Sequence, residues 1–367
     1  MTIARIIPLM LLLLAPLRAQ DQFNVTFRLD FSSVDALIDL SEGRIANPDR
    51  AARLRGNQIA AATSALLARQ TYDVRSFATE LERFRNGASL SNDIYGLSST
   101  QRLLPAIKTL IAESKKRNLD RRVLATIAPF FPQKVRLNAV IPVYFVALGN
   151  ENAAAFVRNV LWRNDMPIFA GEGEGEPTVV VNVTRSVQYL REPEIQFVDM
   201  LSTLAHEAFH ASFDHLQRGS GLWREYHARP EPVWTLAELS LNEGVAYLIS
   251  LQQRTGGQMP PERLAAARAA IGELSSALSE LSRPDITMQR ARELIMNSNL
   301  SGSYEKNYGA TAGLLMALTI DEKLGRPALT ECLTNGPGDF FDKYNQAASS
   351  GSGLPLFSDS VITSLTR

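Results

Sequence analysis

A single cysteine, Cys332, stands in the 367 residues, so an internal disulfide is excluded and the cysteine-rich closed sites of structural zinc proteins cannot be built. Charge of one sign is lacking as well, since 38 Lys and Arg balance 38 Asp and Glu. No basic tract is longer than Lys115-Lys-Arg117, which reads as a solvated helix end. The electrostatic footprint of a nucleic-acid binder is therefore missing, and no nucleic-acid partner is expected. Beyond the first residues, no apolar run approaches the roughly 20 needed to span a bilayer. Histidine is scarce too, with four in the whole chain, so any pattern among them carries weight.

What the chain does have is ample material for a core, with 45% hydrophobic and 21% charged residues. It starts as an exported chain does. Arg5 precedes the apolar stretch Ile6 to Leu14, and Pro16-Leu-Arg-Ala19 gives way to the polar Gln20-Asp-Gln. Residues 1–19 read as a signal peptide, with Leu17 larger than usual for its place before the cut. The mature protein is expected to be periplasmic or secreted, with no stable membrane anchor left after cleavage.

Residues 20–135 form a helical N-terminal region in this reading. Val34, Leu37 and Leu40 share one helical face, and further helices fall at Ile59 to Leu67, Phe77 to Phe84 and Leu103 to Ile111. Asn47-Pro48, Asn86-Gly87 and Phe131-Pro132 mark the breaks. From Arg136 the pattern changes. Leu137 to Leu148 and Thr178-Val-Val-Val-Asn-Val183 are β-branched or aromatic runs, the strands of a small sheet. Between them Gly171-Glu-Gly-Glu-Gly-Glu176 reads as a flexible acidic connection. Helices return at Pro261 to Leu281, Ile286 to Met296 and Tyr304 to Leu324, the last ended by Gly325; Phe340, Phe341 and Tyr344 are expected to close the core.

The chemistry lies in Thr203-Leu-Ala-His-Glu-Ala-Phe-His-Ala-Ser-Phe213, which spells H-E-x-x-H. Phe197, Leu201, Leu204 and Ala208 give the segment an apolar helical stripe, with Asp199 and Ser202 on the wetter side. Residues four apart on a helix lie one above the other, so His206 and His210 can direct both imidazoles at one ion. Glu207, on the rim of that face, can serve as base toward a metal-activated water without binding the metal itself. A catalytic zinc site needs a third protein ligand, and Leu241-Asn-Glu-Gly-Val-Ala-Tyr247 offers Glu243 inside a second helical pattern. The small Gly244 and Ala246 beside it would let helices approach closely. His215 falls off the metal-facing line and reads as a surface histidine. Arg218 to Pro232 looks too irregular for helix and reads as a loop over the cleft, whose Trp223 and Tyr226 either line a substrate pocket or cap the core.

The pair His206-Glu-Ala-Phe-His210 and Leu241-Asn-Glu-Gly-Val-Ala246 resembles the gluzincin metallopeptidases. The aminopeptidase-N-like branch carries H-E-x-x-H followed by L-N-E-G-x-A. A closer likeness is to the uncharacterised bacterial zinc-dependent peptidases, which share both helices and vary the connection between them. Two features depart from the aminopeptidase-N-like branch: the gap from His210 to Glu243 is longer, and the G-x-M-E-N motif that binds a substrate amine is missing. The resemblance implies His206, His210 and Glu243 as ligands of one Zn²⁺, with Glu207 as catalytic base. It also implies an edge strand before the metal helix that holds extended substrate, a place occupied in sequence by Thr178 to Val183. A tyrosine near Tyr304-Glu-Lys-Asn-Tyr-Gly309 is implied to present its hydroxyl to the oxyanion. Tyr304 and Tyr308 both qualify, the distance from Gly325 favouring Tyr308, and His227 is a third candidate.

The expected architecture is α+β and mostly helical, a small mixed sheet beside the H-E-x-x-H helix and a helical C-terminal half, with residues 136–367 as one catalytic core. The expected function is that of an exported zinc metallopeptidase acting on peptide or protein substrates. Two other readings share the ligands: a non-catalytic exported binding protein that keeps the metal site, and a zinc hydrolase of non-peptide amides. Aminopeptidase action is not expected, because Glu172, Glu174 and Glu176 are flanked by glycine or Pro177 and a mobile carboxylate makes a poor amine clamp.

Overall fold

Phe23-Asn-Val-Thr-Phe-Arg-Leu-Asp30 alternates apolar with polar residues, which sends successive side chains to opposite faces of a sheet. The computed structural model describes residues 23–44, 47–88, 90, 92–149, 153–171, 174–189, 192–299, 306–349 and 353–365. In it the first of these segments is a strand, β1 (Phe23–Asp30), with Val25 and Phe27 buried. The region 20–135, expected to be helical, thus opens with a strand, whose two-residue period was present in the sequence. The signal-peptide expectation falls on residues outside the described ones.

Helices α1 (Ser32–Ser41), α2 (Pro48–Ala52), α3 (Arg55–Leu67), α4 (Val74–Arg85), α5 (Leu97–Lys116) and α6 (Leu119–Ile127) follow. Val34, Leu37 and Leu40 of α1 are fully buried, as their spacing on one face requires. Asn47 caps α2 by accepting from the Asp49 amide at 2.9 Å, with Pro48 opening the helix. The chain then runs through β2 (Leu137–Val146), which pairs in parallel with β1, and into a hairpin of β3 (Ala155–Arg163) and β4 (Met166–Phe169). Asn164 and Asp165 make that hairpin's two-residue turn with φ of 49° and 59°, the left-handed geometry that matches strand twist.

The last strand, β5 (Glu176–Asn182), completes a mixed sheet of order β1-β2-β5-β3-β4. It pairs in parallel with β2 and antiparallel with β3, so both its sides are occupied. This corrects the expectation that Thr178 to Val183 is an edge strand open to substrate. Continuous Val179-Val-Val181, all buried, is the mark of a strand covered on both faces. The outer side of β3 is different: among the described residues β4 pairs with it only over Val160–Arg163, leaving the Ala155 to Arg158 stretch without a strand partner there.

Beyond the sheet the fold is helical: α7 (Val183–Gln188), α8 (Pro193–Gly219), α9 (Gly221–His227), α10 (Pro232–Thr255), α11 (Pro261–Leu281), α12 (Met288–Asn299), α13 (Tyr308–Leu324), α14 (Arg326–Asn335), α15 (Pro337–Ala348) and α16 (Asp359–Ser364). Among the described residues no helix is long and apolar enough to cross a membrane. Phe340, Phe341 and Tyr344 on α15 are fully buried. The long α8 packs its Phe197, Leu201, Leu204 and Ala208 stripe inward. Ser202 is buried rather than wet, because α10 crosses there and the hydroxyls of Ser202 and Ser250 each donate to the other's carbonyl at 3.4 Å.

Gly244 does let two helices meet closely, but the neighbour is α13 and not α8. A Cβ at Gly244 would lie 2.4 Å from the Gly313 carbonyl oxygen, and one at Gly313 would lie 2.1 Å from that of Ser240. Arg218 to Pro232 contains α9 rather than an open loop. Ser220 breaks the helix and recaps it, with its hydroxyl accepting from the Trp223 amide. Trp223 is buried and donates its indole N–H to the Leu333 carbonyl at 2.8 Å, and the buried Tyr226 hydroxyl donates to the Trp234 carbonyl. Both side chains are buried in the core, and Tyr226 also lines a surface pocket with Leu222 and Trp234.

Candidate metal centre

Helical spacing on α8 stacks His206 and His210 one turn apart, and their Nε2 atoms face each other at 3.0 Å. From α10, crossing beside them, Glu243 brings Oε2 to 3.5 Å from His206 Nε2 and 3.7 Å from His210 Nε2. One donor atom from each of the three residues lies within 4.8 Å of the other two, a group able to hold a metal ion. The fit is better than proximity alone. Separations of 3.5 and 3.7 Å are long for hydrogen bonds. Arms of roughly 2.1 Å in a tetrahedral site put neighbouring donors about 3.4 Å apart.

The protonation pattern agrees. The Oδ1 of Asn242 can only accept, so His210 Nδ1, 2.8 Å away, carries the proton and its Nε2 is left with a lone pair pointing into the centre. His206 is oriented by Ser250, whose Oγ lies 3.5 Å from Nδ1, and by the Tyr247 ring, which meets the imidazole edge-on with centroids 4.7 Å apart. Asn299, at the end of α12, donates to Glu243 Oε1 at 2.7 Å and leaves Oε2 for the histidines. Burial works to raise the Glu243 carboxyl, but the positive charge of the His210 and His206 rings when they are protonated, with the hydrogen bonds from His206 and the Asn299 amide, outweighs it and lowers the group to about 2. It is an anionic donor.

Glu207 follows His206 on α8 and differs in kind. Burial pushes its carboxyl up to about 7; the Glu243 charge adds to the rise, while His210 and Arg158 oppose it. A carboxyl held near neutrality can both take and give a proton. The arrangement thus sets a buried carboxyl of raised proton affinity next in the chain to a three-donor N,N,O cluster.

The other sequence candidates lie elsewhere or are otherwise engaged. Tyr308 opens α13, buried, with its hydroxyl donating to the Leu294 carbonyl at 2.6 Å; burial raises it to about 12. Tyr304 lies outside the described residues. His227 on α9 sets its Nε2 3.1 Å from both Glu238 oxygens. His215 is not a surface histidine: its Nε2 is buried without a hydrogen-bond partner, and burial lowers its affinity for a proton. Of the acidic connection, Glu174 and Glu176 are exposed and Glu172 lies outside the described residues.

Five supporting residues escaped the sequence reading, Ser250 among them. Asn242 and Tyr247 could have been found, since one precedes Glu243 directly and the other follows it by one helical turn. Asn299 and Arg158 carry no local signal, coming from α12 and β3 far along the chain.

A family model described as "Putative zinc dependent peptidase (DUF5700)" matches residues 49–352. No curated protein and no solved structure matches the chain.

Proposed function

The chain belongs to the zinc-dependent peptidase family matched over residues 49–352, and from that premise we propose that it is a gluzincin-type metallopeptidase that hydrolyses peptide bonds. His206, His210 and Glu243 would hold Zn²⁺. The observation that carries the reading is the meeting of two imidazole nitrogens and one carboxylate oxygen with Glu207 beside them. Three protein ligands of this type belong to catalytic zinc sites, which keep a position open.

Bound there, zinc would supply Lewis-acid polarisation of the scissile carbonyl and a lowered pKa for the attacking water. The chain's own residues supply the rest. Glu207 takes the proton from that water and passes it to the nitrogen of the leaving amine, so the carboxyl ends the cycle as it began. Asn242 and Asn299 hold His210 and Glu243 in place. The Ala155 to Arg158 stretch of β3 offers backbone groups to an extended substrate, the part first assigned to β5. For the oxyanion we keep Tyr308, Tyr304 and His227 as candidates. Tyr308 would have to release the Leu294 carbonyl to act, and His227 would have to leave Glu238. Removal of residues 1–19 on export completes the proposal; mass spectrometry of the mature N-terminus tests it.

The deciding experiment is incubation of the zinc-supplied chain with a diverse peptide library, mapping the cuts by mass spectrometry. Cuts by the wild type that vanish in Glu207→Gln, with zinc still bound, are expected. A Glu207→Gln chain that cuts like the wild type would refute the role of the base, and a zinc-loaded wild type that cuts nothing would refute the peptidase.

A further inference from the structure

Two arginines stand near the sheet end of α8, and their surroundings differ. Arg218 is ion-paired: its Nε lies 2.6 Å from Asp214 Oδ2, though not in hydrogen-bonding geometry, and its terminal nitrogens donate to the Gly175 carbonyl at 2.8 Å and to Asn159 Oδ1 at 3.2 Å. Arg158, on β3, is not. Among the described residues its Nε is buried with no partner, and its only hydrogen bond is a 3.4 Å contact from Nη1 to the carbonyl of its own neighbour Val157. Among the described residues it forms no ion pair with a carboxylate. The rings of Phe156 and Phe169 flank the guanidinium with centroids 5.2 and 5.7 Å away.

Five N–H donors in a fixed fork, half-buried and almost unused, are costly to maintain, because a desolvated cation is stabilised only when an anion or acceptors meet it. The aromatic contacts offset part of that cost and orient the fork, but they satisfy none of its donors. The position is also telling. Arg158 lies on the β3 stretch left open by β4, and its charge and that of Glu207 act on each other. A peptide laid along that edge alternates its side chains between the two faces of the sheet, and those on one face meet Arg158 between its two phenylalanines.

We propose that Arg158 is a specificity-determining residue that binds a carboxylate of the substrate, so that the site prefers acidic chains. The carboxylate comes either from an Asp or Glu side chain or from a free C-terminus, and Arg matches either one by a bidentate pair. This inference rests on the peptidase reading for its substrate class, and its test separates the two.

The test uses the full, zinc-supplied chain and peptide pairs that differ only in one carboxylate: Glu against Gln at each position in turn, and a free against an amidated C-terminus. Cleavage is followed with the wild type. Binding is followed by calorimetry in a Glu207→Gln background, with Arg158 intact or changed to Gln or Lys. The expected result is about tenfold or more tighter binding of the carboxylate member, the scale of one charge-assisted contact. Arg158→Gln should collapse that ratio toward one, while Arg158→Lys keeps part of it. The pair that shows the effect names the source of the carboxylate. Equal binding of both members of every pair overturns the inference even if the peptides are cut, and so does a ratio that survives Arg158→Gln. Should the Gln variant fail to fold, the pairs measured with Arg158 intact and with Lys still decide. Carboxylate-dependent binding with no cleavage of any peptide upholds the role of Arg158 and sinks the peptidase reading alone.

Discussion

Helix α10 carries two glutamates that each face histidine, and the two clusters behave in opposite ways. At Glu238, His227 Nε2 stands 3.1 Å from both carboxylate oxygens and Gln217 donates to one of them at 2.5 Å. Both carboxylate oxygens there have a direct partner, and the His227 side chain is 36% exposed. At Glu243 the imidazoles stop at 3.5 and 3.7 Å, their side chains only 12% and 14% exposed. Donor atoms that converge in burial, the imidazole nitrogens 3.0 Å apart and the carboxylate oxygen 3.5 and 3.7 Å from them, form a group able to hold a cation. The same residue types therefore make a direct ion pair in one place and a group able to hold a metal ion in the other, and spacing rather than composition tells them apart.

The sharpest way to break this comparison is to remove one partner from each cluster. His210→Ala or Glu243→Ala should lose zinc far beyond the roughly 10–100-fold that loss of an orienting neighbour costs. His227→Ala should bind as the wild type does, measured by competitive titration with a chromogenic chelator. Equal loss in His227→Ala would mean the two clusters had been assigned in reverse. Next in size is Glu207→Gln, which should keep zinc and lose about 10²–10⁴ in turnover; loss of zinc together with turnover would make Glu207 a ligand rather than a base.

Asn299→Leu sharpens the comparison from the second layer of contacts. Without its 2.7 Å bond the Glu243 carboxylate is free to turn, and zinc affinity should fall about 10–100-fold. Unchanged affinity would show that burial alone fixes the carboxylate. Gly313→Ala acts on the helix that bears both glutamates. Its Cβ would press on the Ser240 carbonyl from 2.1 Å, and forcing α13 off α10 should cost about 1–3 kcal/mol in urea unfolding. A fully stable variant would show the helix crossing to be slack. The smallest effect is expected at Glu238→Gln, where the pair is partly solvated and worth about 0–1 kcal/mol in thermal unfolding. A larger loss would place His227 and Glu238 in the structural framework.

The sequence alone was enough for whatever depends on near neighbours. His206, Glu207 and His210 lie within one helical turn and a half, and the helix that presents them is announced by its own apolar stripe. Glu243 was legible because the residues around it resemble a known motif, and the mostly helical α+β class because helical periods dominate the chain. Even β1 was written in local alternation, although it was read as part of a helical region.

Only the tertiary structure decided the rest. That β5 is internal follows from where β3 and β2 pair, that Gly244 serves α13 follows from a helix crossing, and that Trp223 is core follows from Leu333 meeting its indole. Asn299 reaches Glu243 from α12, and the charge of Arg158 on β3 is felt at Glu207, although neither element's own pattern says anything of those glutamates. The physical reason is that a period of 2 or 3.6 residues fixes which way a side chain leaves its own element. What it meets on leaving depends on distant segments, brought together by burial rather than by any repeat along the chain.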